Sequence, residues 1–181
     1  MSRKYKFLNK EGLYFVSFAT VNWIDVFTRP VYNEIIVDSL SWCINNIGME
    51  LYCWVIMPNH VHLIFSAKDN NPEIILGWFK EYTAKQLIKA ISENPQESRK
   101  EWMLWMFKRA GAKSSNVTTY QFWQHNNKPI ELWSPHVIEQ KADYIHYNPV
   151  VAGFVIEPHY WKYSSAVDYY GGKGLIDIEY L

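Results

Sequence analysis

The chain has 181 residues, 49% of them hydrophobic and 17% aromatic, and its 18 basic and 18 acidic side chains balance. This length suits one domain, and the apolar content excludes a disordered chain. No stretch approaches the roughly 20 apolar residues that cross a bilayer, and no signal-peptide core follows the N-terminus, so we expect a cytoplasmic protein without membrane contact. The neutral charge balance does not indicate nucleic-acid binding, although a net sum hides local basic patches.

Several segments in the first half of the chain have the periodicity of a regular element. They are predicted strands at 13–20, 51–56 and 60–65 and predicted helices at 31–47 and 73–91. Gly48 is placed to end the first helix, and the turn signal at 57–59 joins the second and third strands into a hairpin.

The second half is more helical. A polar loop is predicted at 92–100 and a short, tryptophan-rich helix at 101–112, whereas 120–133 has no clear pattern. Ser134 and Pro135 predict the start of a long helix, and Pro149 predicts its end near Asn148, because the residue before a proline avoids helical geometry. The pattern as a whole predicts an α+β fold, with a central antiparallel sheet and helices packed on it.

The third predicted strand contains two histidines, His60 and His62, separated by Val61. Side chains alternate along a strand, so both imidazoles point to one face, roughly 6–7 Å apart, while Val61 points into apolar packing. Two imidazoles on one face can bind one divalent metal ion. Such a pair also arises by chance, so the residues alone leave both a metal site and two unrelated histidines open.

The last long helix presents a tyrosine on a polar face. Apolar residues at helical spacing predict a buried stripe on another face (Ile138, Ala142 and Ile145). Tyr144 and Asn148 are four residues apart, so they are neighbours on the helix surface. Tyr147 competes with Tyr144 as a candidate nucleophile, and position alone does not choose between them.

Several motifs in this order resemble the single-tyrosine transposases of the HUH nuclease class, in particular the REP-associated tyrosine transposases. The segment WVIMPNHVHLI at 54–64 is similar to the metal motif of that family, and DYIHYNPVVAGFV at 143–155 is similar to its tyrosine motif. The segments KPIELWS at 128–134 and YSSA at 163–166 are similar to family sequences as well. The resemblance extends over most of the chain and is weakest at about 92–120.

The resemblance implies a role for each matching residue. His60 and His62 would bind a divalent metal ion, Mg or Mn, and Asn148 would take the place of a third ligand that is glutamine in related branches. Tyr144 would attack single-stranded DNA with hairpin structure, leaving a covalent 5′-phosphotyrosine and a free 3′-hydroxyl. The implied fold has ferredoxin-like or palm-like connectivity. We therefore expect a single HUH transposase-like domain over 1–181 with a helical insert at about 92–120.

DNA contacts are expected at basic side chains, since phosphates attract them. The candidates are Arg3, Lys4, Lys80, Lys85, Lys89, Lys108, Arg109 and Lys113. Trp123 is a candidate for stacking on a base, with a place in the core as its alternative.

Four functions stay open at this point. The first two are a mobile transposase and a domesticated relative that processes chromosomal hairpins, and both would keep the same site. The third is a non-catalytic hairpin DNA-binding module, and the fourth is a metal hydrolase with an incidental tyrosine. Homodimerisation, which occurs among related transposases, stays open as well.

Overall fold

The computed structural model of the protein describes residues 7–69, 71–113, 119–125 and 129–181. Its strands are β1 (Tyr14–Ala19), β2 (Met49–Met57), β3 (His60–Ala67) and β4 (Ile130–Glu131). Its α-helices are α1 (Pro30–Ile47), α2 (Pro72–Glu93), α3 (Lys100–Ala112), α4 (Pro135–Val151) and α5 (Ala166–Tyr169). Arg3 and Lys4 lie outside the described residues.

Within the described residues, the strands form one antiparallel sheet in the order β2-β3-β1-β4. Helix α1 connects β1 to β2, and both α2 and α3 lie between β3 and β4 in the chain. This order and connectivity are ferredoxin-like, which confirms the predicted α+β fold with a central antiparallel sheet.

The sheet separates two apolar clusters, because side chains alternate between its faces. Val16 of β1, Trp54 of β2 and Leu63 of β3 belong to the larger cluster, together with buried residues of α1, α2 and α3. The opposite face packs against α4, and its cluster combines sheet and helix residues (Phe15, Cys53, Val55, Met57, Ile64, Leu132, Ala142 and Ile145). The stripe predicted on the last long helix therefore holds α4 against β2 and β3.

Glycine ends α1 as the sequence predicts. Gly48 has φ 72° and ψ 28°, a left-handed conformation that costs little without a Cβ, and its amide donates a hydrogen bond to the carbonyl of Cys43. The chain then enters β2 directly at Met49.

The predicted end of the last long helix is wrong by one turn. Helix α4 begins after Ser134, whose hydroxyl accepts a hydrogen bond from the amide of Val137, but it continues through Pro149 to Val151. A proline in the last turn removes only one amide donor, and the amides of Ala152 and Phe154 still bond to the carbonyls of Asn148 and Pro149. Asn148 therefore keeps helical geometry and stays on the same face as Tyr144.

The segment that leads into α3 is anchored by a buried carboxylate. The Glu97 side chain is fully buried and forms ion pairs with Arg29, at 2.9 Å, and with Arg99, at 3.2 Å. Arg99 also donates a hydrogen bond to the carbonyl of Asp25 at 2.9 Å. The start of α3 is thereby fixed against the segment that precedes α1.

Trp123 belongs to the core and not to a DNA-stacking surface. It is 5% exposed, and its indole nitrogen donates a hydrogen bond to the Thr83 hydroxyl of α2 at 3.0 Å.

Among the described residues we find no helix whose length and hydrophobicity would let it cross a lipid bilayer.

Candidate active site

The two histidines of β3 lie on the sheet face that packs against α4. His60 pairs with Ala19 of β1 and Met57 of β2. His62 pairs with the residues that come two positions earlier on each of these strands. Their ring centroids are 4.7 Å apart, with the ring planes inclined by 73°. The predicted common face is therefore present, and the rings converge more closely than their backbone spacing.

Asn59 determines which nitrogen of His60 carries the proton. The Oδ1 atom of Asn59 lies 2.7 Å from His60 Nδ1, and the Nδ2 atom of Asn59 donates to the Asp25 carboxylate at 2.8 Å. Since an amide oxygen only accepts, Nδ1 of His60 is the donor and Nε2 keeps its lone pair. This lone pair is the one a metal ion would need.

His62 is held neutral by its surroundings. It is 3% exposed, and burial lowers its pKa to about 3, with the charges of His60 and Lys141 acting in the same direction. Burial also lowers the pKa of His60, while its hydrogen bond to Asn148 acts in the opposite direction. Both imidazoles are therefore deprotonated at neutral pH, and the buried Nδ1 of His62 has no hydrogen-bond partner in the described part of the chain.

Tyr144 of α4 lies directly against His62. Their ring centroids are 5.1 Å apart, edge to face, and Phe15 of β1 contacts both rings, at 5.5 Å from His62 and 5.9 Å from Tyr144. Tyr144 is nevertheless 48% exposed, so its hydroxyl is accessible to a substrate.

The structure separates the two tyrosines that the sequence left in competition. The Tyr147 hydroxyl lies 3.5 Å from the hydroxyl of Tyr170, whereas the Tyr144 ring contacts His62. Tyr147 therefore faces the C-terminal segment, and Tyr144 is the one of the two that the structure places against the histidines.

Asn148 completes the cluster one helical turn after Tyr144. Its carboxamide nitrogen lies 3.5 Å from His62 Nε2, and it is also hydrogen-bonded to His60. A half-turn of the carboxamide exchanges its nitrogen and oxygen, so the same side chain can direct an oxygen ligand at this point.

These side chains fit a divalent metal ion. Two neutral imidazoles and, after that half-turn, a carboxamide oxygen are donor atoms of the kind that divalent ions bind, and an ion held by them would have positions left for substrate oxygens. In the described ranges there is no group of three or more His, Cys, Asp or Glu side chains placed to hold a metal. A site at His60, His62 and Asn148 would therefore lack a carboxylate ligand from the described residues.

Two residues contribute to the site although the sequence pattern gave no indication of it, namely Lys141 and Asn59. Lys141, one turn before Tyr144, places its ammonium 5.4 Å from the Tyr144 ring centroid and 5.0 Å from that of Phe15. Asn59 looked like a turn residue only. The roles of both depend on how α4 and the 20–25 segment pack against β3, which local patterns do not reveal.

The described basic residues that were predicted to contact DNA differ in their surroundings. Lys80 donates a hydrogen bond to the Gln124 carbonyl at 2.9 Å, and Lys85 forms an ion pair with Glu81 at 2.6 Å. Arg109 lies over the Trp105 ring of α3 at 5.2 Å. Lys89 and Lys108 are exposed on their helices, and Lys113 is exposed directly after α3. None of these side chains belongs to the His60–Tyr144 cluster, and their contacts with DNA stay a prediction.

Comparison with known protein families identifies the class of protein to which this fold and site belong. The family described as "Transposase IS200 like" matches residues 14–120, more than half of the chain, and the chain belongs to this family. The match includes both histidines of β3 and ends before α4.

Individual relatives point to one branch of this family. A Haemophilus influenzae protein assigned to the REP-associated tyrosine transposases is 26% identical over 167 residues, which cover 91% of this chain and 85% of that protein. The REP-associated tyrosine transposase of Escherichia coli K12 is 25% identical over 116 residues, covering 64% of this chain and 53% of its own length.

A solved structure supports the fold. A REP-associated tyrosine transposase bound to a REP hairpin superposes with a TM-score of 0.64 and 17% identity, covering 99% of this chain and 92% of that one. The resemblance to REP-associated tyrosine transposases inferred from the motifs is thereby confirmed.

Proposed function

We propose that this protein is a metal-dependent endonuclease and strand transferase for single-stranded DNA, with Tyr144 as its nucleophile. The observation that carries the proposal is the contact of Tyr144 with His62, which brings a half-exposed phenol to a pair of neutral imidazoles. A phosphodiester held at the histidines would lie within reach of the tyrosine hydroxyl. Membership in the IS200-like transposase family supports the same reaction class.

The step is a transesterification at phosphorus. The Tyr144 oxygen forms a bond to phosphorus, the bond from phosphorus to the 3′ oxygen breaks, the phenolic proton leaves to solvent, and the 3′ oxygen takes up a proton. The products are a 5′-phosphotyrosine and a free 3′-hydroxyl. Attack of another 3′-hydroxyl on the phosphotyrosine reverses the step and joins a new strand, with one bond formed for each one broken.

His60, His62 and Asn148 are the proposed ligands of a divalent ion, Mg or Mn. When bound, the ion would neutralise charge on the scissile phosphate and make phosphorus more electrophilic. Imidazole ligands favour Mn on grounds of softness, while Mg is the harder, oxygen-preferring alternative. Lys141, over the Tyr144 ring, would supply a second positive charge beside the nucleophile.

The proposed substrate is single-stranded DNA that contains a hairpin. Support comes from the structural neighbour of the same fold, which is bound to a REP hairpin, and from the REP-associated relatives. We also propose that the chain forms one HUH transposase-like domain, in which α3 and its leading loop are an insert fixed to the body by Glu97.

End-group analysis of the DNA products tests the reaction class. We expect cleavage of a labelled single strand with a hairpin, in Mg or Mn, to give one fragment with an extendable 3′-hydroxyl. The other fragment should have a 5′ end that resists both phosphatase and kinase, and should still resist them after protease treatment, because a tyrosine peptide stays linked to its phosphate. Two free fragments would indicate a metal hydrolase, and intact but bound DNA would indicate the non-catalytic hairpin-binding alternative.

A further inference from the structure

A cleft lies beside the candidate active site and is distinct from the His60–Tyr144 cluster. Its volume is about 730 Å³, within the range of about 300–1,000 Å³ that is usual for ligand sites. Three segments supply polar or aromatic side chains to it, namely Asn22 and Trp23, Arg109 and Lys113, and Gln121 and Gln124. We refer to this feature as the Trp23 cleft.

Hydrogen bonds to backbone carbonyls hold the walls of the Trp23 cleft together. The Val21 amide donates to the carbonyl of Phe122 at 2.8 Å, and the Gln121 amide donates to the carbonyl of Phe107 at 3.0 Å. The Gln124 side chain donates to the carbonyl of Thr20 at 3.0 Å. These bonds connect the 21–23 turn, α3 and the 121–125 segment, so the cleft exists before any ligand binds.

Trp23 connects the cleft to the active site. Its ring centroid lies 5.7 Å from that of His60, yet 57% of the residue is exposed. Both Asn22 and Trp23 have a positive φ, 54° and 56°, which costs conformational energy in residues that have a Cβ. The strained turn therefore presents a large apolar ring to solvent at the border between the histidines and the cleft.

One face of α3 adds aromatic and cationic groups beside the same cleft. Trp102, Trp105 and Arg109 follow helical spacing and are exposed, and Lys113, directly after the end of α3, is exposed as well. The guanidinium of Arg109 lies over the Trp105 ring. No acidic side chain is among the described residues that line the cleft, so its charge suits an anion.

Building on the proposed function, we propose that the Trp23 cleft binds an unpaired nucleotide next to the scissile phosphate, with Trp23 stacking on its base and Arg109 and Lys113 contacting its phosphate. Exposed aromatic rings interspersed with cations are the usual means of binding single strands. The Asn22 carboxamide offers a paired donor and acceptor for a base edge, and the carboxamide oxygens of Gln121 and Gln124 offer acceptors, because their nitrogens donate to the carbonyls of Trp123 and Thr20. A protein partner would not need this combination next to the histidines.

Binding of a fluorescein-labelled oligothymidylate, measured by anisotropy at several salt concentrations, tests the inference. All variants carry Tyr144→Phe, so that cleavage does not consume the probe. Arg109→Gln with Lys113→Gln should raise Kd and reduce the slope of log K against log salt by about 0.7, the contribution of one phosphate contact on a single strand. Lys68→Gln with Lys173→Gln, which removes the same charge from exposed sites elsewhere, should leave that slope nearly unchanged.

Trp23→Ala should raise Kd about 5- to 150-fold, the loss expected for one stacked base, with the salt slope unchanged. Trp23→Phe keeps a ring and should restore most of the affinity. Thermal melting of each variant separates loss of binding from loss of fold. Kd values and slopes for the cleft variants that match those of the lysine control would overturn the inference.

The outcome for the cleft is independent of the outcome for the proposed function. Wild-type protein that forms a covalent DNA adduct, combined with cleft variants that bind like the control, would contradict the cleft and leave the function intact. Wild-type protein that binds without forming an adduct, combined with weakened cleft variants, would contradict the function and support the cleft.

Discussion

The ring of Tyr144 lies edge to face with the imidazole of His62, with 5.1 Å between their centroids. One residue comes from α4 and the other from β3, and the apolar cluster between that helix and the sheet holds them together. Because His62 is buried and Tyr144 is half exposed, the pair forms the border between a rigid ligand site and solvent. A substrate phosphate at this border would meet the nucleophile and the proposed ligands together.

Removing both histidines should abolish metal binding. Addition of Mn to the wild-type protein should raise its Tm, because a ligand at about 100 times its Kd stabilises the native state by about 2.7 kcal/mol. His60→Ala with His62→Ala should lose this metal-induced shift and all cleavage, although replacing the buried His62 also lowers the Tm without metal. His136→Ala, an exposed histidine on α4, is the matched control. An unchanged shift in the double variant would contradict the metal assignment.

Asn148 should contribute to metal affinity as an oxygen ligand. Asn148→Ala should weaken Mn binding, measured by calorimetry, by about 10- to 100-fold. Asn148→Asp places a carboxylate beside the two neutral imidazoles and should restore or raise the affinity. If Asn148→Ala binds Mn as the wild type does, the side chain only packs between the histidines and is not a ligand.

Lys141 should accelerate the chemical step without affecting metal binding. Lys141→Met keeps the apolar stem over Phe15 and Tyr144 but removes the charge over the Tyr144 ring. We expect the single-turnover cleavage rate to fall about tenfold or more, in line with the loss of one electrostatic contact in a partly exposed site. Lys162→Met removes a lysine that lies over the ring of Tyr163 at 5.1 Å and should leave the rate unchanged. Equal rates in the two variants would argue against this role.

Glu97 should stabilise the fold in a pH-dependent manner. Burial alone would raise its pKa, but the amide and guanidinium of Arg99 and the guanidinium of Arg29 outweigh burial and hold that pKa below its ordinary value of 4.5. Glu97→Gln should lower the free energy of unfolding by about 1–3 kcal/mol at neutral pH, measured by urea denaturation.

The pH profile gives the sign of this contribution. A carboxyl whose pKa is lower in the folded state stabilises above its unfolded pKa and loses that contribution as the pH falls through its folded pKa. The difference between wild type and Glu97→Gln should therefore be full above about pH 5 and shrink below pH 4.5. Glu93→Gln, at an exposed position, should change stability by less than about 0.5 kcal/mol. A difference that does not shrink at all between pH 5 and pH 3 would mean that packing, not charge, is responsible.

Local periodicity was sufficient to predict the parts of the site that depend on one element. The alternation of β3 predicted that His60 and His62 share a face, and the spacing of Ala142 and Ile145 predicted the buried side of α4. The order of the strands needs pairing between distant segments, and only the resemblance to a family implied it.

Other features depend on tertiary packing and could not be predicted locally. Tyr144 and Tyr147 are three residues apart on one helix, and only the packing of α4 against β3 separates the His62 partner from the Tyr170 partner. Pro149 was expected to end the helix, but it lies in the last turn, where one missing amide is tolerated. Trp123 lies in a segment without periodicity, and its burial follows from packing against Phe18 and Phe27, with its indole nitrogen paired to the Thr83 hydroxyl.

Covalent trapping tests the central claim most directly. The protein is mixed with labelled hairpin-containing single-stranded DNA and Mn, denatured in SDS, and digested so that the peptide attached to the DNA can be identified by mass spectrometry. The account predicts a DNA adduct on the peptide with Tyr144, absent in Tyr144→Phe and retained in Tyr147→Phe. An adduct on Tyr147, or cleavage by Tyr144→Phe at the wild-type rate, would contradict it.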